Sequence, residues 1–214
     1  MKRKIDINKS LTKVNPRLAK EWHPTKNKEL TPSDVSIGSG KKVWWKCDKH
    51  EWQATVLNRS NGNKCPYCSG KKASKDNSLA KVNPKLVKQW HFDKNKNINP
   101  NDVLPNSRKK VWWKCDKHEW QATIYRRNNG TGCPYCSGKK VSKDNSLAKV
   151  NPELSKQWNF DKNEDLTPYD VTANSGKKVW WKCEEHEWEA PVYRRNNGTG
   201  CPFCFKKRRK KSKK

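Results

Sequence analysis

A fixed period limits what this chain can become more than any other feature. Trp22, Trp90 and Trp158 stand 68 residues apart, as do Cys47, Cys115 and Cys183, and likewise His50, His118 and His186. The interval never slips, so the chain consists of three copies of one small unit and not of one large core. The pattern uses every one of the nine cysteines and 12 tryptophans, three and four to a copy. The copies span 10–77, 78–145 and 146–205, between a basic N-terminal segment at 1–9 and a basic tail at 206–214.

A unit of this size seldom holds itself together by apolar burial alone. The cysteines offer the missing stability. Cys47-x2-His50 is followed after fourteen residues by Cys65-x2-Cys68. Two-residue gaps let both members of a pair reach one ion, and three thiolates with one imidazole make a closed tetrahedral zinc site. The other two sets are Cys115, His118, Cys133 and Cys136, then Cys183, His186, Cys201 and Cys204. A disulfide framework would favour an even number of cysteines in each copy. A thioredoxin-like redox pair would need a surrounding βαβ pattern, which is missing. The expectation is three Zn2+ per chain, each contributing an apparent ~10–16 kcal/mol. Each tryptophan can bury on the order of 150–250 Å², so four of them form most of a miniature core. Consecutive tryptophans on a strand face opposite ways. One of each pair is therefore a candidate for stacking on an unpaired base, with Trp44, Trp112 and Trp180 the first choice.

Local signals predict small α+β units. Asn83 before Pro84 is an N-cap with proline at the first helical position, so a short helix is expected from Pro84 to about His91, with equivalents at Pro16 and Pro152. Thr31 can cap a brief turn in "LTPSDV". "KKVWWKC" and "EWQATVL" alternate as the strands of a hairpin, with Trp52, Ala54 and Val56 on one face. Asn-Gly at 61–62, 129–130 and 197–198 marks a turn before the last cysteine pair. Pro191 stands where the other copies have Thr55 and Thr123, so its strand should be an edge. The joins "SGKKASKDNS" and "SGKKVSKDNS" are polar and read as flexible linkers of equal length.

Charge points to the partner. The chain has 49 Lys and Arg against 21 Asp and Glu, a net charge of +28. Zinc binding lowers this by about one per site, to about +25. Such an excess calls for polyanions, of which nucleic acid is the commonest. No apolar run approaches the roughly 20 residues of a membrane span, and "MKRKIDINKSL" lacks the apolar stretch of a secretory signal. An intracellular, reducing location is expected, in nucleus, virion or nucleoid, wherever DNA lies. Lysine outnumbers arginine 39 to 10 and asparagine reaches 22, a bias toward A/T-rich codons that suggests an AT-rich bacterial or viral genome.

Basic residues recur at fixed offsets beside each cysteine cluster. Lys41 and Lys42, Lys109 and Lys110, and Lys177 and Lys178 open the hairpins. Arg59, then Arg126 and Arg127, then Arg194 and Arg195 precede the Asn-Gly turns. On a rigid zinc scaffold these are candidate phosphate contacts. So are Lys206, Lys207, Arg208, Arg209, Lys210 and Lys211 of the tail, which also resembles a nuclear localisation signal. A catalytic role for His23 and His91 fails because the third copy has Asn159 in their place.

The helix-borne Trp, the "DV" pair, "S-x-KK-V-W-W-K-C", "H-E-W" and "R-x-x-G-x-x-CPYC" together resemble the zinc-ribbon or treble-clef zinc-finger repeat. That family occurs in tandem in bacteria and large DNA viruses. The likeness implies zinc at the residues already named, and association with nucleic acid. A treble clef sends the chain into a helix after the second knuckle, whereas a ribbon keeps a second hairpin. Pro66, Pro134 and Pro202 could start that helix and Gly70 and Gly138 would cut it short, so a treble-clef-like unit with a stub helix is favoured.

The expected function is a non-enzymatic, zinc-dependent nucleic-acid-binding array. Duplex DNA is favoured over RNA, and little sequence specificity is expected, because lysine acts as a point charge on phosphate and not as a bidentate reader of guanine. Genome compaction would fit. The alternatives are an adaptor for acidic protein partners, a structural component of an RNA–protein particle and, less favoured, a nuclease. No membrane partner is expected.

Overall fold

The computed structural model describes residues 5–205. The basic tail from Lys206 onward, with the contacts expected of it, lies outside those residues. The chain divides into two compact units, Met1–Val111 with Thr123–Asn128, and Trp112–Ala122 with Asn129–Lys214, so the second repeat contributes to both.

The first repeat runs through α1 (Leu11–Val14), α2 (Pro16–Ala19), β1 (Lys42–Lys46), β2 (Glu51–Thr55) and α3 (Val56–Ser60). The second has α4 (Leu79–Val82), α5 (Pro84–Val87), β3 (Lys110–Lys114), β4 (Glu119–Thr123) and α6 (Ile124–Asn128). The third has α7 (Leu147–Val150), α8 (Pro152–Ser155), α9 (Phe160–Asn163), β5 (Lys178–Lys182), β6 (Glu187–Pro191) and α10 (Val192–Asn196). Each repeat is thus a pair of one-turn helices, a two-stranded sheet and a closing helix.

The caps set the opening helices. Asn15, Asn83 and Asn151 each accept from the backbone N–H three residues on (Leu18, Leu86 and Leu154) at 3.0, 3.1 and 3.1 Å. The prolines that follow occupy a position where no N–H is needed. The helices are shorter than the sequence predicts, with α5 ending at Val87 and not near His91. Beyond it the backbone tightens, as Gln89 N donates to Leu86 O and Trp90 N to Val87 O. This brings Trp90 to a fully buried position. The preceding helices α1, α4 and α7 were not expected, although Ser78 before Leu79 is the N-cap signal for α4. The predicted turn at "LTPSDV" forms, with Thr31 N donating to Asp34 Oδ2 at 2.9 Å.

The hairpins pair antiparallel, with Trp45 opposite Trp52 and Trp181 opposite Trp188. Alternation sends Trp45, Trp113 and Trp181 inward to complete burial, and leaves Trp44, Trp112 and Trp180 half-buried. Trp52 and Val56 share the inner face as expected, but the strand stops at Thr55. There the Thr55 hydroxyl accepts from Asn58 N at 3.2 Å and starts α3, and Thr123 does the same for Arg126 N at 3.3 Å. Pro191 has no such oxygen to offer. It occupies the last rung, opposite Lys178, on a strand that is an edge because the sheet has only two. The Asn-Gly turns form as expected, with Gly62, Gly130 and Gly198 at φ +86°, +86° and +90°, where a side chain would be strained.

The cores are small and tryptophan-rich. In the first repeat Leu11, Leu18, Val35, Val43, Trp45, Trp52 and Val56 pack together, and Leu147, Leu154, Trp158, Val171, Trp181, Trp188 and Val192 do so in the third. Trp22 meets Trp45 edge-on at 5.4 Å, and Trp158 meets Trp181 at 5.3 Å. Two indole donors of the first repeat find backbone acceptors: Trp22 Nε1 donates to Leu30 O at 3.1 Å and Trp45 Nε1 to Ala54 O at 3.0 Å.

Candidate metal centres

The β1–β2 turn and the chain after α3 bring the two halves of each ligand set together. Cys47 N donates to His50 O at 2.9 Å, a tight knuckle that points Cys47 Sγ and His50 Nδ1 the same way, and Cys115 and Cys183 repeat it with His118 and His186. Cys65 and Cys68 come from a single turn of chain in which Ser69 N donates to Cys65 O and Lys71 N to Pro66 O. Gly70, at φ +66°, ends that turn, so where a stub helix is expected the first repeat has only a hydrogen-bonded turn.

A tetrahedral ion with Zn–S of about 2.3 Å and Zn–N of about 2.0–2.1 Å requires S···S near ~3.8 Å and S···N near ~3.6 Å. In the first site Cys47 Sγ lies 3.8 Å from Cys68 Sγ, and His50 Nδ1 lies 3.9, 3.7 and 3.3 Å from Cys47, Cys65 and Cys68. In the second, Cys115–Cys136 is 3.8 Å and His118 Nδ1 lies 3.8, 3.7 and 3.4 Å from its cysteines. In the third, Cys183–Cys204 is 3.9 Å, with His186 at 3.7 Å from Cys183 and 3.5 Å from Cys204. These spacings are too long for disulfides and right for a shared ion. Each Cys3His set converges within 4.8 Å, and the donors suit zinc.

The surroundings prepare the ligands. Burial opposes ionisation of Cys47, yet the backbone of Lys49 and His50 outweighs it and holds the thiol at about 7. Cys115 and Cys183 are held at about 7 in the same way, against burial, by Lys117 and His118 and by Glu185 and His186. Burial and then the neighbouring Cys65 push Cys68 up to about 11, and burial and Cys133 do the same to Cys136. Without a dication the three thiols resist ionising together, and an ion removes that conflict. The histidine rings are clamped by aromatic neighbours: Tyr67 lies 5.0 Å from His50, Tyr135 5.1 Å from His118 and Phe203 5.2 Å from His186. His50 Nε2–H donates to Asp76 and His118 Nε2–H to Asp144, each at 2.9 Å, which leaves Nδ1 free for the metal. Asp76 and Asp144 stay ionised, held down to about 2 by hydrogen bonds from Ser74 and Ser142 and then from the histidines.

The candidate phosphate contacts divide. Lys41, Lys42, Lys109, Lys110, Lys177 and Lys178 are exposed, as are Arg126 and Arg194. Arg59, Arg127 and Arg195 are not: they are core residues, each 6–7% exposed. The Arg59 guanidinium lies 5.3 Å from the Trp45 ring and 5.4 Å from Trp52, and it bonds to Glu21 and to the Asn63 carbonyl. Arg195 lies 5.3 Å from both Trp181 and Trp188 and bonds to Gln157 and the Thr199 carbonyl, while Arg127 bonds to Gln89. Arg59 and Arg195, each held between two indoles, stabilise their hairpins, and none of the three buried arginines faces solvent, so all three are withdrawn as phosphate contacts.

The half-buried tryptophans are also partly occupied. Lys26 Nζ sits 4.5 Å over Trp44 and Lys162 Nζ 4.2 Å over Trp180, so a base would have to displace a lysine from that ring face. The structure gives His23 and Asn159 one shared role that sequence reasoning missed. His23 Nδ1 accepts from Thr25 N and Lys26 N at 3.3 and 3.2 Å, and Asn159 Oδ1 accepts from Lys162 N at 3.2 Å. Both residue types present an acceptor at the same place, so the exchange preserves the turn. Asn27 and Asn163 were missed as well. Asn27 accepts from Trp44 N at 2.7 Å and donates to Trp44 O at 2.8 Å, and Asn163 treats Trp180 alike, satisfying the outer edge of the hairpin. The joins are folded and not loose, because Asn77 donates to Tyr67 O and Lys72 O at 2.8 and 3.1 Å while accepting from Ser74 N at 2.7 Å.

Three Cys3His centres, each on a small hairpin with short helices, define a tandem zinc-finger protein that holds three zinc ions. The family described as a probable treble clef zinc finger domain matches residues 18–71, 86–139 and 154–207, and the chain belongs to it. A search among curated proteins gave no match.

Proposed function

We propose that this chain is a non-enzymatic nucleic-acid-binding array, directed mainly to duplex DNA through its phosphates. The supporting observation is a basic cluster that the fold builds in each repeat. Val56 N, Ile124 N and Val192 N donate to the carbonyls of Lys41, Lys109 and Lys177 at 3.1 Å, tying each lysine pair to the start of the closing helix. In the second and third repeats that helix carries exposed Arg126 and Arg194. The cluster therefore sits on a scaffold fixed by zinc and by two tryptophans, at the same place in every copy. Lysine-rich contacts of this kind position a backbone without reading bases. With four protein ligands around each ion, no coordination position is left for a substrate. Among the described residues no helix is long and apolar enough to cross a membrane. The proposed location is wherever the bound DNA lies, and compaction of a genome is the process that such sequence-independent binding would serve.

The test is binding of duplex, single-stranded and RNA oligonucleotides to the zinc-loaded chain. The proposal expects similar affinities for unrelated duplexes. Tight binding to an acidic protein, with none to any nucleic acid, would replace it with the adaptor reading.

A further inference from the structure

The ligand spacing contains no carboxylate, yet two of the three zinc sites have one. Asp76 and Asp144 come from the joins, eight residues past the last cysteine of their sites, and each accepts from the ligand histidine at 2.9 Å. Both are held in place: Ser74 Oγ donates to Asp76, and Ser142 Oγ to Asp144 at 2.5 Å. Asn77 and Asn145 fold the join back onto the same turn, Asn145 donating to Tyr135 O at 2.7 Å and to Lys140 O at 2.9 Å. At the same offset the third repeat has Ser212, and no acidic residue stands between Cys204 and it. Among the described residues, the His186 ring meets the sulfurs of Cys183 and Cys204 through Nδ1, at 3.7 and 3.5 Å.

We infer that Asp76 and Asp144 are positioning residues for the first two zinc ions, and that the third ion, lacking one, is the labile ion of the chain. A carboxylate on Nε2–H fixes the tautomer and the direction of the Nδ1 lone pair, and it makes the imidazole a stronger donor to the metal. Loss of such a partner typically costs 10–100-fold in metal affinity. The same aspartates tie the start of the next repeat to the preceding ion, because Asp76 and Asn77 lead directly into Ser78, the N-cap of α4. Zinc loss at one site therefore loosens the join that follows it.

The experiment exposes the zinc-loaded full chain to excess chelator together with a thiol-alkylating maleimide, and maps modified cysteines by mass spectrometry over time. Cys201 and Cys204 should be alkylated first, about 10–100-fold ahead of the other two pairs. Exposure does not dictate this order at the last ligand, since Cys68 and Cys136 are exposed and Cys204 is half-buried. Asp144→Asn should bring Cys133 and Cys136 up to the rate of the third pair while Cys65 and Cys68 stay slow, and Asp76→Asn should do the converse. Circular dichroism at saturating zinc should be unchanged in both variants, which separates lost metal affinity from misfolding. The order in the natural chain is informative without any variant. Equal release from all three sites, or asparagine variants that leave the order as it was, would overturn the inference.

Discussion

Arg194 and Arg195 are neighbours in sequence and opposites in role. One is exposed; the other is wedged between Trp181 and Trp188. Their recurrence beside the cysteine cluster was visible in the sequence, but adjacent residues on a helix point roughly 100° apart, and charge alone does not say which one turns inward. Arg195→Ala should cost about 2–4 kcal/mol of unfolding free energy, since it opens a cavity between Trp181 and Trp188 and removes the hydrogen bonds to Gln157 and the Thr199 carbonyl. Arg194→Ala should stay within about 0.5 kcal/mol of the natural chain and reduce the salt dependence of DNA binding by about one contact. Denaturant unfolding and a salt titration of each variant distinguish the two. The thiols make a second prediction. Cys68, Cys136 and Cys204 sit at about 11 and Cys47, Cys115 and Cys183 at about 7, so at pH 7 a metal-free site carries a proton on the first of these and part of one on the second. Zinc must displace those protons, so apparent affinity should rise from pH 6 to pH 8 and fall on acidification. Competition titrations at three pH values check this, and a pH-independent affinity would argue against thiolate ligation.

Among the elements, those fixed by local chemistry were the ones the sequence made readable. Asparagine caps before proline, Asn-Gly turns and two-residue knuckles each act within four residues, and all of them form. Asn151→Ala should cost about 1 kcal/mol by stranding Leu154 N, measured by thermal or denaturant unfolding of the zinc-loaded chain. The joins were misread because their partners are distant in sequence. A polar, lysine-rich stretch looks like a linker until its one aspartate finds the histidine of a zinc site 26 residues earlier. The end of β2 was misread for a different reason. Thr55 suits a strand and a helix cap equally well, and the buried Val56 continues the inner face whichever way the backbone turns.

For the chain as a whole, the period and the cysteine arithmetic carried the most information. They imply three closed sites, and the donor geometry agrees at each. Native mass spectrometry should find three zinc ions per chain; a value near zero or six would contradict the Cys3His assignment. What the period could not supply was the partition of the basic residues between core and surface. That partition leaves the lysine pairs, Arg126 and Arg194 exposed, as the contacts proposed for a polyanion. The most direct measurement of the proposed role is the affinity of the zinc-loaded chain for a mixed-sequence DNA duplex between 50 and 200 mM salt. With two to three contacts from each repeat, log K should fall linearly with log salt at a slope of about −5 to −8, a loss of roughly 10³–10⁵ over that range. Replacing Lys109, Lys110, Arg126, Lys177, Lys178 and Arg194 by alanine should flatten the slope by about 5 and leave all three zinc ions bound. An affinity insensitive to salt, or a slope unchanged by the six substitutions, would contradict the account.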